Sequence, residues 1–404
     1  MVPNGAKLLD LTRLVSRLGR GPLTGIDRVE LAYLQYLMDR PTPLFGLVRT
    51  ALGFVLLDKH GAHGILTRVT GAVSPGQADL LAKLTLRHIP QNSRAEADAR
   101  RLACARCLPL RLGSMLRKWL PDGTNYVNVG HANLSARVLR TLKAVTRGQV
   151  VVMVHDTIPL DFPELCRAGT QNGFARKLAA VSAYADLVVH TAHCTKAQTE
   201  HHFGKLGRVP HGVVCALGIN PIVPNSAQPD HDGLPYFVAL GTIEPRKNLH
   251  LLVKVWQALQ NAGGPMPRLF IVGNRGWESP AVFAELDALA KDGLIRLVHD
   301  ANDATVAALL QNAEALLFPS LAEGFGLPPL EAAALGVPVF AGKLPVVVET
   351  LQDYPVYLDT SDVYAWVAAI HRHLKHRALG RVADRQIRVP PNWADHFGAV
   401  FSKA

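Results

Sequence analysis

A-L-L-F-P-S-L-A-E-G-F-G-L-P-P-L-E-A-A-A-L-G, running from Ala315 to Gly336, decides the fold. It opens with a continuously apolar run ending at Pro319, as a strand covered on both faces must read. A loop with glycines at 324 and 326 follows. Pro328 and Pro329 then begin a helical stretch, Pro328–Leu335, in the first turn, where proline is tolerated. Glycines let the main chain approach a ligand closely, and N–H groups at a helix start seat a phosphate or an oxyanion. Glu323 stands in the loop and Glu331 inside the helix, so both can point toward one crevice. Taken alone, the same residues also describe a solvated glycine turn.

The strand–loop–helix unit repeats on both sides. Further candidate strands in the second half are Tyr236–Gly241, Leu269–Gly273, Ile295–His299, Pro338–Ala341 and Val356–Asp359. Helical patterns separate them at Leu249–Gln260, Ala281–Lys291 and Thr305–Asn312. The first half offers Lys7–Thr12, Leu44–Arg49, Tyr126–Gly130, Val150–Asp156, Leu187–Thr191 and Val213–Leu217. Such alternation predicts parallel sheets joined by right-handed crossovers. Ile219–Pro235 carries four prolines and no apolar period, and marks the seam. The expectation is an α/β protein of two doubly wound, Rossmann-like domains facing across a cleft. Residues 1–222 form the first, 223–235 the linker and 236–385 the second; a helix within 386–404 packs back on the first.

Of 404 residues, 49% are apolar and 19% charged, which excludes a disordered chain. No apolar run reaches membrane-spanning length, and no basic-then-apolar leader opens the sequence. Five scattered cysteines (104, 107, 166, 194, 215) fit a reduced, cytoplasmic setting. Lys and Arg number 43 against 32 Asp and Glu, a net +11 that calls for an anionic partner. Residues 83–147 hold thirteen of those basic residues and only three acidic ones, Glu96, Asp98 and Asp122. Within them Arg100–Leu120 mixes arginines, leucines and Trp119. Two readings stand: a broken amphipathic element on an anionic membrane surface, or a solvated face. Nucleic acid is not expected, since no recognition motif accompanies the charge.

Three more elements carry chemistry. In G-T-I-E-P-R-K-N-L (Gly241–Leu249), Arg246 and Lys247 fall at a helix start, where two cations are unfavourable unless they share an anion. A guanidinium fork and a point charge suit a diphosphate. V-V-V-M-V-H-D-T-I-P (Val150–Pro159) ends a buried strand in His155 and Asp156, a ligand-touching place in an open sheet or a structural histidine. R-L-G-R-G-P-L-T-G-I-D-R-V-E (Arg17–Glu30) has glycines at 19, 21 and 25, one residue off the dinucleotide fingerprint, and reads as a phosphate- or acceptor-facing loop.

Together with L-F-I-V-G-N-R-G (Leu269–Gly276), A-D-L-V-V (Ala185–Val189) and the E-x7-E spacing from Glu323 to Glu331, these elements resemble family 4 retaining glycosyltransferases of the GT-B fold. The likeness is strong over residues 235–360 and weaker before them. It implies that Arg246 and Lys247 hold the diphosphate of a nucleotide sugar. Glu323, with the backbone at Gly324, Phe325 and Gly326, faces the sugar, and the backbone of Leu327 reaches phosphate. Glu331 takes the ribose hydroxyls, and His155 lies near the reacting bond. Gly25 and its loop close over the diphosphate or acceptor, Gly241 opens the cation loop, Gly273 ends a strand beside the nucleotide, and His299 meets the base. The implied protein is a retaining, metal-independent hexosyltransferase in surface polysaccharide synthesis, with no cofactor beyond its co-substrate. GDP-mannose is the first-choice donor, and a glycan or lipid-linked sugar the acceptor. It would be cytoplasmic, peripheral on the inner face of the cell membrane. An epimerase or phosphorylase on the same scaffold, and a non-catalytic nucleotide-sugar-binding protein, are the other classes.

Two motifs are read as decoys. Asp230-His231-Asp232 spells D-x-D, but in the linker and not at a strand end. Cys104-Ala105-Arg106-Cys107 has no second pair for zinc.

Overall fold

The computed structural model describes residues 5–85, 90–220, 232–264, 266–379 and 387–401. The chain folds as two compact units. Met1–Thr157, Asn172–Leu217 and Trp393–Ala404 make the first; Ile158–Gln171 and Gly218–Asn392 make the second. Residues 158–171 thus group with the second unit, beyond the seam drawn from the prolines. Most of the expected linker, residues 223–231, lies outside the described residues, as do Asp230 and His231 of the D-x-D triplet. Asp232 is described, and it pairs with Arg268 and Arg296 at 3.0 and 3.1 Å.

The first unit is built on eight strands: β1 Lys7–Asp10, β2 Leu44–Thr50, β3 Gly53–Leu57, β4 Ala105–Cys107, β5 Thr124–Asn128, β6 Arg147–Val154, β7 Leu187–His190 and β8 His211–Val214. Their order is β4-β3-β2-β1-β5-β6-β7-β8. The pairs from β2 through β1 to β8 are parallel, and β3 and β4 add antiparallel. The sequence reading lacked those last two strands. G-F-V-L-L follows β2 after only Ala51 and Leu52, without the Asn-Gly or Asp-Gly signal that announces a hairpin. β4, just Ala-Arg-Cys, has no strand pattern of its own and holds by pairing with β3.

The helix Trp393–Phe401 belongs to this unit. Its Phe397 stacks on Tyr36 at 4.0 Å. His396 Nδ1 lies 2.9 Å from the Ala216 carbonyl, so Nδ1 donates and Nε2 accepts from the Tyr33 hydroxyl at 2.8 Å.

The second unit has six parallel strands: β9 Tyr236–Leu240, β10 Arg268–Val272, β11 Ile295–Val298, β12 Leu316–Phe318, β13 Val339–Gly342 and β14 Val356–Leu358. Their order, β11-β10-β9-β12-β13-β14, is that of a doubly wound nucleotide-binding sheet. The helix Leu249–Ala262 buries Leu249, Leu251, Leu252, Val253, Val255, Trp256 and Leu259, a broad apolar face turned to the core. Trp256 is fully buried and gives its indole N–H to the Pro267 carbonyl at 3.1 Å. The strand order reverses between β9 and β12, and a crevice opens beyond the carboxyl ends of strands at such a point.

The basic segment departs from one amphipathic element. Arg100–Leu120 is divided among the end of a helix, β4, a 3-10 turn at Pro109–Arg111 and the helix Leu112–Trp119. Arg100 is buried, bound by Asp79 at 2.7 Å and Glu96 at 3.3 Å, and Arg101 binds Asp98 at 2.9 Å. Arg100 is therefore internal, and Arg101, though exposed, is neutralised by its own partner. Among the described residues, no helix is long and apolar enough to cross a membrane.

Candidate functional site in the second unit

The loops after β9 and β12 meet at the reversal of strand order. Pro245–Lys247 forms a 3-10 turn after β9, and the Leu321 N–H donates to the Arg246 carbonyl at 2.8 Å, tying the two loops together. Glu323 lies between the two cations. Its Oε1 accepts from Lys247 Nζ at 2.6 Å and its Oε2 from Arg246 Nη1 at 2.7 Å. Arg246 Nε also pairs with Glu244 at 2.6 Å. Glu244 carried no assigned role, although it sits in the quoted G-T-I-E-P-R-K motif.

Two cations on one carboxylate decide its charge. Burial alone would raise Glu323, but Lys247 and Arg246 hold it down at about 2. Lys247 is only 7% exposed, and burial lowers its pKa more than Glu323 raises it, with Arg246 adding to the lowering. The two directions agree with the geometry: Glu323 has two cations to itself, while Lys247 shares its carboxylate. At neutral pH Glu323 is therefore an ionised hydrogen-bond acceptor, without a proton to give.

Glycines set the floor of this crevice. Gly273 follows β10 with φ +153°, and a Cβ there would lie 2.1 Å from the Gly241 carbonyl oxygen, so only glycine lets these strand ends touch. Gly241 itself has φ +132°, and a Cβ on it would meet Lys247 Cε at 2.9 Å. His299, exposed after β11, donates from Nδ1 to the Gly273 carbonyl at 3.0 Å. Gly326 has φ +82° and caps the helix Leu327–Ala334, in which Glu331 is buried. Gly324 and Phe325 lie in the loop ahead of it. Pro328 and Pro329 have no N–H, so the first helical turn keeps only the Leu327 donor among its first three residues.

The remaining candidates lie in the first unit. His155, 6% exposed after β6, has Nε2 at 2.7 Å from the Val129 carbonyl. A carbonyl only accepts, so Nε2 carries the proton and Nδ1 is left an acceptor. Burial lowers this imidazole to about 4, so it is neutral at physiological pH. Its ring stands 5.0 Å from that of His131. Gly25 starts the helix Gly25–Met38 with φ +23°. Asp27 fixes this start: it accepts from Thr24 N at 3.2 Å and pairs with Arg13 at 2.6 Å and Arg17 at 3.2 Å. In T-G-I-D-R, the aspartate thus has a structural task.

Sequence reasoning missed the buried polar cluster at the strand ends of this unit. Asp10 takes hydrogen bonds from Tyr126 at 2.8 Å and Asn133 at 3.1 Å, and Glu30 takes the Leu14 N–H at 3.1 Å. Both carboxyls are raised by burial. The available signal was an Asp closing an apolar strand, K-L-L-D. Among the described residues no three His, Cys, Asp or Glu side chains gather as a metal site.

Comparison with known proteins agrees with this architecture. Escherichia coli O-antigen chain mannosyltransferase B is 32% identical over 148 residues, which cover 37% of this chain and 39% of that protein. Serotype-specific mannosyltransferase WbdA of E. coli is 29% identical over 222 residues, covering 51% of this chain and 27% of WbdA. The chain thus matches well under half the length of these curated relatives. The Anabaena HepE structure with UDP-glucose superposes with a TM-score of 0.61 at 13% identity, over 98% of this chain and 94% of HepE, and shows the shared fold. Residues 225–388 match the family of glycosyl transferases group 1. With two Rossmann-like domains in its chain, the protein has the GT-B fold, and residues 225–388 of its second unit are similar to the glycosyl transferases group 1.

Proposed function

We propose that this chain transfers a hexosyl group from a nucleotide-diphosphate sugar, GDP-mannose as first choice, to a growing surface glycan, with retention of anomeric configuration and without a metal. The observation that carries this reading is the Glu323 carboxylate shared between Arg246 and Lys247 at the reversal of strand order. An O-antigen chain mannosyltransferase and a serotype-specific mannosyltransferase among the relatives support the choice of mannose and of a glycan acceptor.

Cleavage of the sugar–diphosphate bond builds negative charge on the leaving group. Arg246 and the buried Lys247, both held in place, stabilise that charge electrostatically, with the Leu327 N–H as a further donor. Glu323, ionised down to about pH 2, accepts hydrogen bonds from sugar hydroxyls. So stabilised a carboxylate is a poor base and a poor nucleophile, so the reaction does not run through a glycosyl–Glu323 intermediate. The acceptor hydroxyl attacks on the leaving-group side, and the departing phosphate takes its proton. Glu331 binds the ribose, His299 the base, and Gly241 and Gly273 leave room for the nucleotide. His155 contacts the sugar as a neutral acceptor through Nδ1, and the Gly25 loop closes over the diphosphate or acceptor.

The test is a donor panel of GDP-mannose, UDP-glucose and UDP-galactose with a mannose-terminated oligosaccharide, the product anomer being read by NMR. An α-mannoside from GDP-mannose is expected. A β-linked product removes retention, and donor consumption without an acceptor-dependent product favours an epimerase or phosphorylase.

A further inference from the structure

The net charge of +11 has a location, and the structure separates the cations that have partners in the fold from those without an acidic one. Within residues 83–147, Arg94 donates to the Pro75 and Gly76 carbonyls, Arg100 and Arg101 are held by Asp79, Glu96 and Asp98, Lys143 meets Asp186 and Arg147 meets Asp122. Residues 86–89, with Arg87, lie outside the described residues, as does the side chain of Lys83. Six exposed cations have no acidic partner among the described residues: Arg106, Arg111, Arg117, Lys118, Arg137 and Arg140.

These six sit on elements that pack together. Arg106 is on the edge strand β4, Arg111 on the 3-10 turn, Arg117 and Lys118 on the helix Leu112–Trp119, and Arg137 and Arg140 on the helix Ala136–Thr146. Arg137 reaches back to the Pro109 carbonyl at 2.6 Å, and a Cβ at Gly113 would touch Thr141 Cγ2 at 3.3 Å. The helix Leu112–Trp119 turns Leu112, Met115 and Leu116 inward and leaves Ser114, Arg117 and Lys118 exposed.

Large apolar side chains stand among the cations. Leu110 is 86% exposed, Leu108 64% and Trp119 42%. Leu52, at the tip of the β2–β3 hairpin, joins them: a Cβ on its neighbour Gly53 would lie 3.1 Å from Leu108 Cα. The nearby acids are occupied, Glu96 by Arg100 and the Ala51 N–H, Asp122 by Arg147. A polyanion such as nucleic acid matches the cations but gives the leucines nothing to enter. An anionic lipid surface matches both, with headgroups for the arginines and an acyl boundary for Leu108, Leu110 and Trp119.

We propose that the face formed by β4, the turn Pro109–Arg111 and the helix Leu112–Trp119 docks on an anionic membrane surface, with Leu108, Leu110 and Trp119 inserted and the six cations on headgroup phosphates. This docking does not depend on the transfer reaction, and it narrows the surface from residues 83–147 to the outward part of 106–140.

The test is co-sedimentation of the full chain with phosphatidylglycerol–phosphatidylcholine vesicles. A cation near such a surface is worth about a fivefold change in partitioning, so R111Q/R117Q/K118Q is expected to lose roughly a hundredfold. L108S/L110S is expected to lose binding that survives at high salt, and the emission difference between the parent and W119F is expected to shift to the blue on binding. Far-ultraviolet circular dichroism checks that the variants fold. Absence of binding to phosphatidylglycerol, equal binding by the triple variant, or binding to heparin and single-stranded RNA with none to vesicles overturns the proposal. An unshifted Trp119 signal overturns insertion.

Discussion

Replacing Glu323 by Gln keeps the side chain's shape and removes the charge that two cations share. Lys247 and Arg246 hold this carboxyl at about 2 against an ordinary value of 4.5. That displacement corresponds to roughly 3 kcal/mol of folding free energy at neutral pH. Lys247, already lowered by burial, recovers part of the loss by giving up its proton, so a cost of about 2–3 kcal/mol is expected. For a unit of this size each kcal/mol moves the midpoint by about 2–4 °C, which gives roughly 5–10 °C. The sign with pH follows from a depressed acid: the stabilisation is complete above 4.5 and disappears as pH falls through about 2. Thermal unfolding of parent and E323Q at pH 7, 5 and 3 measures it, with hydrogen exchange in the helix Leu249–Ala262 identifying the second unit's transition. The gap should be equal at pH 7 and 5 and narrow at pH 3. A variant as stable as the parent at pH 7, or a gap untouched by acid, refutes the charge balance described for Glu323.

K247A should weaken GDP or UDP binding by about 10- to 100-fold, the worth of a hydrogen bond to a charged group, and calorimetry showing no change would remove Lys247 from the diphosphate site. G273A forces a Cβ to within 2.1 Å of the Gly241 carbonyl and should cost at least about 2 kcal/mol in urea unfolding, whereas G398A, in a helix with open space around it, should gain about 0.5–1 kcal/mol. Equal effects at the two glycines would contradict the strand-end contact. His155, His190 and His396 are each lowered to about 4 by burial, so the unfolded chain binds more protons between pH 6.5 and 4. These three rings therefore withdraw stability from the first unit across that window, above the range where Glu323 acts, while Asp10 and Glu30, raised by burial, pull the other way; ring NMR signals of the three histidines titrating near 6.5 would mean that these rings are accessible to protons.

The second unit was legible because every layer of its sequence says one thing. F-V-A-L, L-F-I-V and A-L-L-F admit only strands covered on both sides, and each ends at a glycine or proline that turns the chain toward the crevice. Arg246, Lys247 and Glu323 were readable as chemistry for the same reason: a cation pair at a helix start needs an anion. That this anion is Glu323 itself could not be read, since the contact joins residues 76 and 77 positions apart. The first unit hid more. β4 exists through pairing with β3, and a composition count cannot distinguish Arg100, which folding consumes, from Arg117, which it leaves in water. Both lie in one basic stretch, and only the third dimension brings Asp79 to the first.

Local charge and net charge point to different ligands. Glu244, Arg246, Lys247 and Glu323 sum to zero, so the crevice between the β9 and β12 loops is not a basic patch. Lys247 lost its water when the domain folded, and Glu323 oxygens now stand where an anion is required. A diphosphate entering there exchanges one anion for another and need not desolvate a free cation, the step that makes buried charge expensive. Contacts of that kind, short and shielded from solvent, are screened little by salt. The six unpaired cations of the first unit are exposed, and their attraction for headgroups fades within a Debye length of about 10 Å at 0.1 M salt. Raising salt from 50 to 300 mM should therefore change nucleoside diphosphate affinity by no more than about threefold, while vesicle binding falls by more than about tenfold. Equal salt dependence of the two would mean that one field serves both ligands, and that the neutral cluster around Glu323 is not what the nucleotide meets.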